Sequence, residues 1–211
     1  PEGMKGKWSV FFKNRNPVIL ELACGRGEYA VGMAKLFPQQ NFIGVDVKGN
    51  RMYLGAKKAL DHPLTNTAFL RTQIEMLPEY FAPGEVDEIW ITFPDPQLRT
   101  SKAKRRLTHP KFLRLFKNVL KPGGNIHLKT DSPALFYFTK RVIELYGLIL
   151  VEESEDVYSK PHKQELDIKT HYEGLDIAQS KKIHYLQFQL PQAIPDLDVQ
   201  LQEELKQTEN Q

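Results

Sequence analysis

Short apolar runs alternate with amphipathic stretches along the chain. Val18-Ile19-Leu20-Glu21-Leu22 and Asn41-Phe42-Ile43-Gly44-Val45-Asp46-Val47 are nearly continuous apolar runs of strand length, the pattern of strands buried on both faces. Between them, Tyr29 to Phe37 has helical apolar spacing and stops at Pro38. The spacing next predicts a helix over 50–60, a short strand over 68–72 and a helical turn over 77–81, closed by Pro83-Gly84. Glu88 to Phe93 reads as the fourth strand. Pro110 to Leu120 is amphipathic, with Phe112, Leu113, Leu115, Phe116, Val119 and Leu120 on one side, and stops at Pro122-Gly123-Gly124. Asn125 to Asp131 is a fifth strand. Pro133 to Tyr146 is a helix with Pro in its first turn and Gly147 just past its end. Leu148–Val151 and Ile183–Leu190 complete the strands.

Strands alternating with helices predict an α/β fold: a seven-stranded, mostly parallel sheet with helices on both faces. No helical pattern separates the last two strands, so that pair is expected to be antiparallel. In such sheets ligands bind beyond the carboxyl ends of the strands, and Glu21, Asp46, Asp95 and Asp131 all fall at or just past those ends. The intervening segment 152–180 is polar, irregular and too long for a simple connection, which marks it as functional or disordered.

At 211 residues the chain is expected to form one domain, 1–211, with a basic N-terminal arm (1–16) and an acidic tail (191–211) that is either a helix or a loose end. Hydrophobic content of 41% and charged content of 26% are ordinary for a globular protein. No apolar run approaches the ~18 residues of a membrane span, and no apolar h-region suggests a signal peptide. Cys24 is the single cysteine, which excludes an internal disulfide and either fits a reducing compartment or is neutral; a cytoplasmic location is expected. The six histidines show no metal-ligand spacing, so no metal is expected.

The net charge of +3 is less informative than its distribution. Residues 97–121 carry nine Lys or Arg and no acid, whereas 196–211 carry five acids and one Lys. A segregated basic face suits an anionic partner, although a solvated helix face has the same composition.

Two cofactors could use the loop after the first strand. Gly25-x-Gly27-x-x-Ala30, with Asp46 about twenty residues on, satisfies the dinucleotide fingerprint. The same residues read as Glu21-x-Ala23-x-Gly25-x-Gly27, a strand-end acid before a glycine loop, which suits S-adenosylmethionine. That cofactor has a ribose, a cationic sulfonium and an ammonium, but no phosphates. A pyrophosphate would sit poorly beside Glu21 and Glu28. A tight strand–helix turn without any ligand also fits, and the loop alone does not decide.

Trp90-Ile91-Thr92-Phe93-Pro94-Asp95-Pro96 ends in a carboxylate held between two prolines, followed by Arg99, Lys102, Lys104, Arg105 and Arg106. With Lys104-Arg105-Arg106-Leu107 and Lys129-Thr130-Asp131, this constellation resembles the bacterial tRNA (guanine-N7-)-methyltransferase family. The resemblance extends from Lys5-Gly6-Lys7-Trp8 to Thr170-His171-Tyr172-Glu173 and covers nearly the whole chain. It implies a Rossmann-like class I methyltransferase fold, S-adenosyl-L-methionine as cofactor, and methylation of a guanine N7 in the variable loop of tRNA. Either a monomer or a homodimer is expected, since the sequence does not give the oligomeric state.

Carried over residue by residue, the resemblance places cofactor acids at Glu21 and Asp46, with Gly25 and Gly27 in the loop and Asp95 reaching both cofactor and substrate. The family's third cofactor acid falls near Gln73, which leaves Gln73 or its backbone as the expected replacement. Substrate contacts fall on Asp131, Thr170, His171, Tyr172 and Glu173. Arg99 stands where relatives have a substrate-binding lysine, and Gln97-Leu98 where they have Trp-Pro. Ala23 stands where many relatives have glycine. Lys102, Lys104, Arg105 and Arg106 are expected on RNA phosphates. Two other classes fit parts of the chain. A nicotinamide-dependent oxidoreductase would use the glycine loop and leave the basic run unexplained. A non-catalytic RNA-binding module would explain the basic run and not the strand-end acids.

Overall fold

Every residue of β1 (Val18–Leu22) is buried, as a near-continuous apolar run requires of a strand covered on both faces. The computed structural model describes residues 3–61, 64–175, 177 and 179–209; Pro1 and Glu2 of the arm, His62 and the last two residues of the tail lie outside them. Before β1 comes α1 (Trp8–Phe12). After it follow α2 (Glu28–Leu36), β2 (Asn41–Asp46), α3 (Gly49–Asp61), β3 (Thr67–Arg71), α4 (Leu77–Tyr80) and β4 (Val86–Thr92). The second half runs α5 (Pro110–Lys117), β5 (Leu120–Thr130), α6 (Pro133–Leu145), β6 (Ile149–Ser154), β7 (His184–Gln189) and α7 (Asp198–Glu209). The seven strands form one sheet in the order β3-β2-β1-β4-β5-β7-β6. β1 pairs parallel with β2 and β4, β2 with β3, and β4 with β5. β7 runs antiparallel to both β5 and β6. The expected α/β sheet and its antiparallel last strand are both present.

Side chains alternate across each strand, and here the alternation produces two unlike faces. One is aliphatic: Leu20, Leu22, Ile43, Val45, Ile89, Ile91, Ile126 and Leu128 pack with aromatic and aliphatic residues of α1, α5 and α6. The other mixes Ile19, Phe42, Trp90 and Tyr185 with the buried polar groups Glu21, Thr92, His127 and Lys129. Buried polar groups need partners, and these have them. His127 Nδ1 lies 2.7 Å from the Tyr185 hydroxyl, and the His127 ring stacks on Trp90 at 4.0 Å. This mixed face is covered by α2 and by part of the long segment before β7.

One stretch departs from the sequence expectation, and three that it left open take definite form. The amphipathic helix stops at Lys117, and β5 already begins at Leu120, which pairs with Val86. The register then jumps to Glu88 opposite Asn125, so Pro122-Gly123-Gly124 is a bulge inside the strand rather than a turn before it. The N-terminal arm is held down: Trp8 is buried, stacks on Phe81 at 5.2 Å and donates its indole N–H to Tyr80 O at 2.9 Å. Segment 152–180 contains short 3₁₀ turns at Val157–Ser159, Gln164–Asp167 and Glu173–Leu175, fastened to the mixed face by buried Val157 and Leu166. The acidic tail is the helix α7, with Leu201 buried and Arg114 and Arg141 paired to Asp198 and Glu204. Among the described residues no helix is long and apolar enough to cross a membrane.

Candidate active site

β1 hands over to α2 through a loop wound largely in the left-handed region. Ala23, Gly25 and Gly27 have φ of 56°, 54° and 66°. Only glycine adopts that region without a Cβ penalty, so Ala23 stores strain of about 1 kcal/mol. The two glycines serve different ends. A Cβ on Gly27 would lie 2.3 Å from Phe69 Cε1, so this position is bare to admit the Phe69 ring. A Cβ on Gly25 would stand 3.5 Å from Tyr172 Cε2, and Gly25 lines an open cavity. Asp46, at the tip of β2, joins the loop to the next one: its Oδ2 accepts from Gly25 N and its Oδ1 from Lys48 N, both at 2.9 Å.

Glu21 lies beneath this loop. It is 4% exposed and accepts from Thr92 Oγ1 and Ala30 N, each at 2.8 Å. Burial penalises its charged form more than those hydrogen bonds favour it, and the carboxyl is pushed up to about 8. At neutral pH it is mostly a neutral acid bracing β4 and the start of α2. The neighbouring Cys24 thiol is pushed far up by burial, so it is an inert filler rather than a nucleophile.

The chain leaves β4 through a second strained turn. Phe93 has φ 47° and donates its amide to Lys129 O at 2.8 Å; Gln97 has φ 48° and donates its amide to Asp95 Oδ1 at 3.0 Å. Non-glycine residues in this region are uncommon and cluster at functional sites. The turn, the glycine loop and the ends of β2 and β5 enclose a cavity of ≈580 Å³. It is lined by Ala23, Gly25, Asp46, Lys48, Arg51, Phe93, Pro94, Asp95, Pro96, Leu98, Asp131 and Tyr172, among others. That volume is ordinary for a cofactor-sized ligand, at ~300–1,000 Å³.

The donor set fits S-adenosylmethionine. Asp46 would offer a carboxylate to a ribose diol, the backbone at Gly25 permits close approach, and the cavity wall carries further carboxylates, Asp95 and Asp131, a charge balance that suits a cationic ligand better than a phosphate. A dinucleotide fits worse. Its pyrophosphate would face the Glu28 carboxylate, which occupies the start of α2 and accepts from His171 N at 2.8 Å.

The other sequence-derived candidates separate. Tyr172 reaches the cavity, with Arg51 stacked over its ring at 5.8 Å. Thr170, His171 and Glu173 belong to the same short segment; Thr170 Oγ1 accepts from Glu173 N at 3.2 Å. Gln73 is exposed at the start of the turn Ile74–Met76 and stands outside the cavity lining. Thr100–Arg105 forms a 3₁₀ turn after Arg99, with Arg99, Lys102, Lys104 and Arg105 exposed. Arg106 differs from them. It is 5% exposed, donates to Gln97 O and Leu98 O, and lies 4.4 Å over the Phe138 ring. Its side chain braces the loop around Asp95 and does not reach outward to a phosphate.

Lys48 and Arg51 on the cavity wall stand outside the sequence motifs, and Phe93 on the same wall and Lys129 behind it enter them with no role assigned. No local signal marks Lys129: Asn125, His127 and Lys129 alternate with Ile126 and Leu128, the pattern of a strand with one polar side, and only the covering of that side by the segment before β7 buries it. Among the described residues no group of three or more His, Cys, Asp or Glu is placed to hold a metal ion.

A family model described as "Putative methyltransferase" matches residues 15–186. A tRNA (guanine-N(7)-)-methyltransferase of Porphyromonas gingivalis is 50% identical over 190 residues, covering 89% of this chain and 77% of that protein. Another, from Christiangramia forsetii, is 46% identical over 190 residues, covering 89% and 85%. Among solved structures, the 16S rRNA methyltransferase KamB superposes with a TM-score of 0.68 at 17% identity, covering 90% of this chain and 96% of that one. At that identity the likeness establishes a shared Rossmann-like methyltransferase fold.

Proposed function

The chain belongs to the tRNA (guanine-N(7)-)-methyltransferase family, and on that premise we propose that it uses S-adenosylmethionine to methylate N7 of a guanine in the variable loop of tRNA. The observation that carries the residue-level reading is the meeting of Asp46, Asp95 and Asp131 with the Gly25 loop around one cavity at the strand ends. When bound, S-adenosylmethionine supplies an electrophilic methyl group on a cationic sulfur.

Guanine N7 carries an exposed lone pair and no proton, so no residue here has to remove one. The protein's task is orientation, which can supply ~7–11 kcal/mol of the barrier. Asp46 takes the ribose hydroxyls, and Gly25 lets the backbone approach. Asp95 accepts hydrogen bonds from guanine N1–H or N2–H₂ and offsets the positive charge that the purine gains. Asp131 and Tyr172 form the facing wall, where Tyr172 stacks on the unpaired base. Arg99, with Lys102, Lys104 and Arg105, holds phosphates on the rim. An oxidoreductase built on the same glycine loop has no place in this family, and a purely RNA-binding module would have no use for the cavity.

The deciding experiment incubates the protein with unmodified tRNA and methyl-labelled cofactor, then maps modified nucleosides by mass spectrometry. The expected product is 7-methylguanosine at one variable-loop position. Label on another base, or none on tRNA, would refute the assignment.

A further inference from the structure

Lys129 is fully buried at the carboxyl end of β5, two residues before Asp131. Its ammonium lies 2.7 Å from Leu166 O, 3.0 Å from Ile168 O, 3.0 Å from Glu173 Oε2 and 3.3 Å from the Tyr158 hydroxyl. The rings of Tyr29, Phe93 and Tyr158 surround it at 5.6 Å each. Burial pulls the lysine downward, opposed by the neighbouring Glu173 carboxylate. Glu173, with its side chain 5% exposed, is engaged at both oxygens, since the Tyr158 hydroxyl donates to Oε1. Stability alone does not call for such an arrangement, because apolar replacement of a buried ion pair is often neutral or stabilising.

What the ammonium joins is more telling. The Lys129 carbonyl accepts from the Phe93 amide and so fixes the strained turn that leads to Asp95. The ammonium itself clamps the 166–173 segment, which crosses to the glycine loop through His171 N and Glu28 and sets Tyr172 beside Gly25. Three walls of the cavity therefore meet at one residue. We infer that Lys129 is a positioning residue: through Glu173 it holds Thr170–Tyr172 against the cavity, and Glu173 acts on that clamp rather than on the guanine. This rests on the methyltransferase reading above.

The test is tRNA methylation kinetics on the full chain, with cofactor affinity measured separately by calorimetry. Lys129→Met lowers kcat about 100-fold, as misplacement by about an ångström does, while the Kd for S-adenosylmethionine stays within about threefold. Glu173→Gln keeps the size and an acceptor. Added to Lys129→Met, it lowers kcat no further, because both changes act on one contact. Losses that multiply would mean that Glu173 touches the substrate in its own right, and would overturn the inference. Tyr158→Phe removes one hydroxyl from a partly exposed ring and decides the matter even where Lys129→Met does not fold. It is expected to cut kcat about tenfold with unchanged cofactor affinity; an unchanged kcat overturns the inference. A wild-type protein that leaves tRNA unmodified would instead refute the functional reading on which it stands.

Discussion

Asp95 stands at the exposed tip of β4 with one carboxylate oxygen held by the Gln97 amide. An asparagine keeps an oxygen for that turn and loses the charge and the second acceptor. Asp95→Asn is therefore expected to retain cofactor affinity within about threefold and to lower turnover about 100- to 1,000-fold, the usual effect of removing one electrostatic stabiliser. Methylation kinetics beside calorimetry measure both, and unchanged turnover would remove Asp95 from the mechanism. Glu21 behaves oppositely because it is enclosed. Its folded carboxyl titrates near 8, above its unfolded value, so its neutral form favours the fold at low pH. That contribution is lost as pH rises from about 4.5 toward 8. Glu21→Gln offers an amide N–H toward Thr92 Oγ1 and an oxygen to Ala30 N at every pH. Without cofactor, denaturant titrations should find the variant gaining on wild type between pH 5 and 8, by on the order of a few kcal/mol. Parallel stability curves would contradict the neutral assignment.

Among the elements, α7 is the one the sequence left undecided. Leu201 is buried within the aliphatic core, Tyr146 donates its hydroxyl to Asp198 Oδ1 at 2.8 Å, and Arg114 forks onto both oxygens of the same carboxylate. Leu201→Ala is expected to cost about 2–4 kcal/mol in chemical denaturation; a loss below about 0.5 kcal/mol would mean a loosely attached helix. The strands, by contrast, were legible, because a buried parallel strand advertises itself as a continuous apolar run and topology then gathers the strand ends. That logic brought Asp46, Asp95 and Asp131 to one cavity. It was blind to depth. Glu21 shares its sheet face with Ile19 and is covered by α2, which no local pattern reports. Gly27 reads like Gly25 until Phe69 arrives from another strand to fill the space beside it. Glu173 falls among the substrate contacts by resemblance, and no local pattern reports its partner, Lys129, on a distant strand. The bulge in β5 was hidden because Pro122-Gly123-Gly124 carries the same composition as an ordinary turn.

At the scale of the whole molecule, the basic run divides in a way its composition conceals. Residues three apart eclipse in a 3₁₀ turn, and Ala103 and Arg106 are accordingly the inward pair, both buried. Arg99, Lys102, Lys104 and Arg105 remain outside, beside the rim that Asp95 and Leu98 form. A phosphate contact releases counterions, so each cation that touches RNA adds about 0.7–0.9 to the slope of log affinity against log salt. Lys104→Ala should therefore reduce that slope by close to one such unit while leaving thermal stability unchanged. Arg106→Met should do the reverse. Its guanidinium is bonded to Gln97 O and Leu98 O, and removing it loses these charge-assisted hydrogen bonds and the packing on Phe138, which costs about 1–3 kcal/mol. The melting temperature falls and the salt slope stays. Filter binding of tRNA from low to moderate salt, beside thermal melts of both variants, measures the two quantities independently. If Lys104→Ala left the slope intact, the outer cations would be ordinary solvated charges, and the tRNA backbone would have to approach the cavity from the side of Lys48 and Arg51.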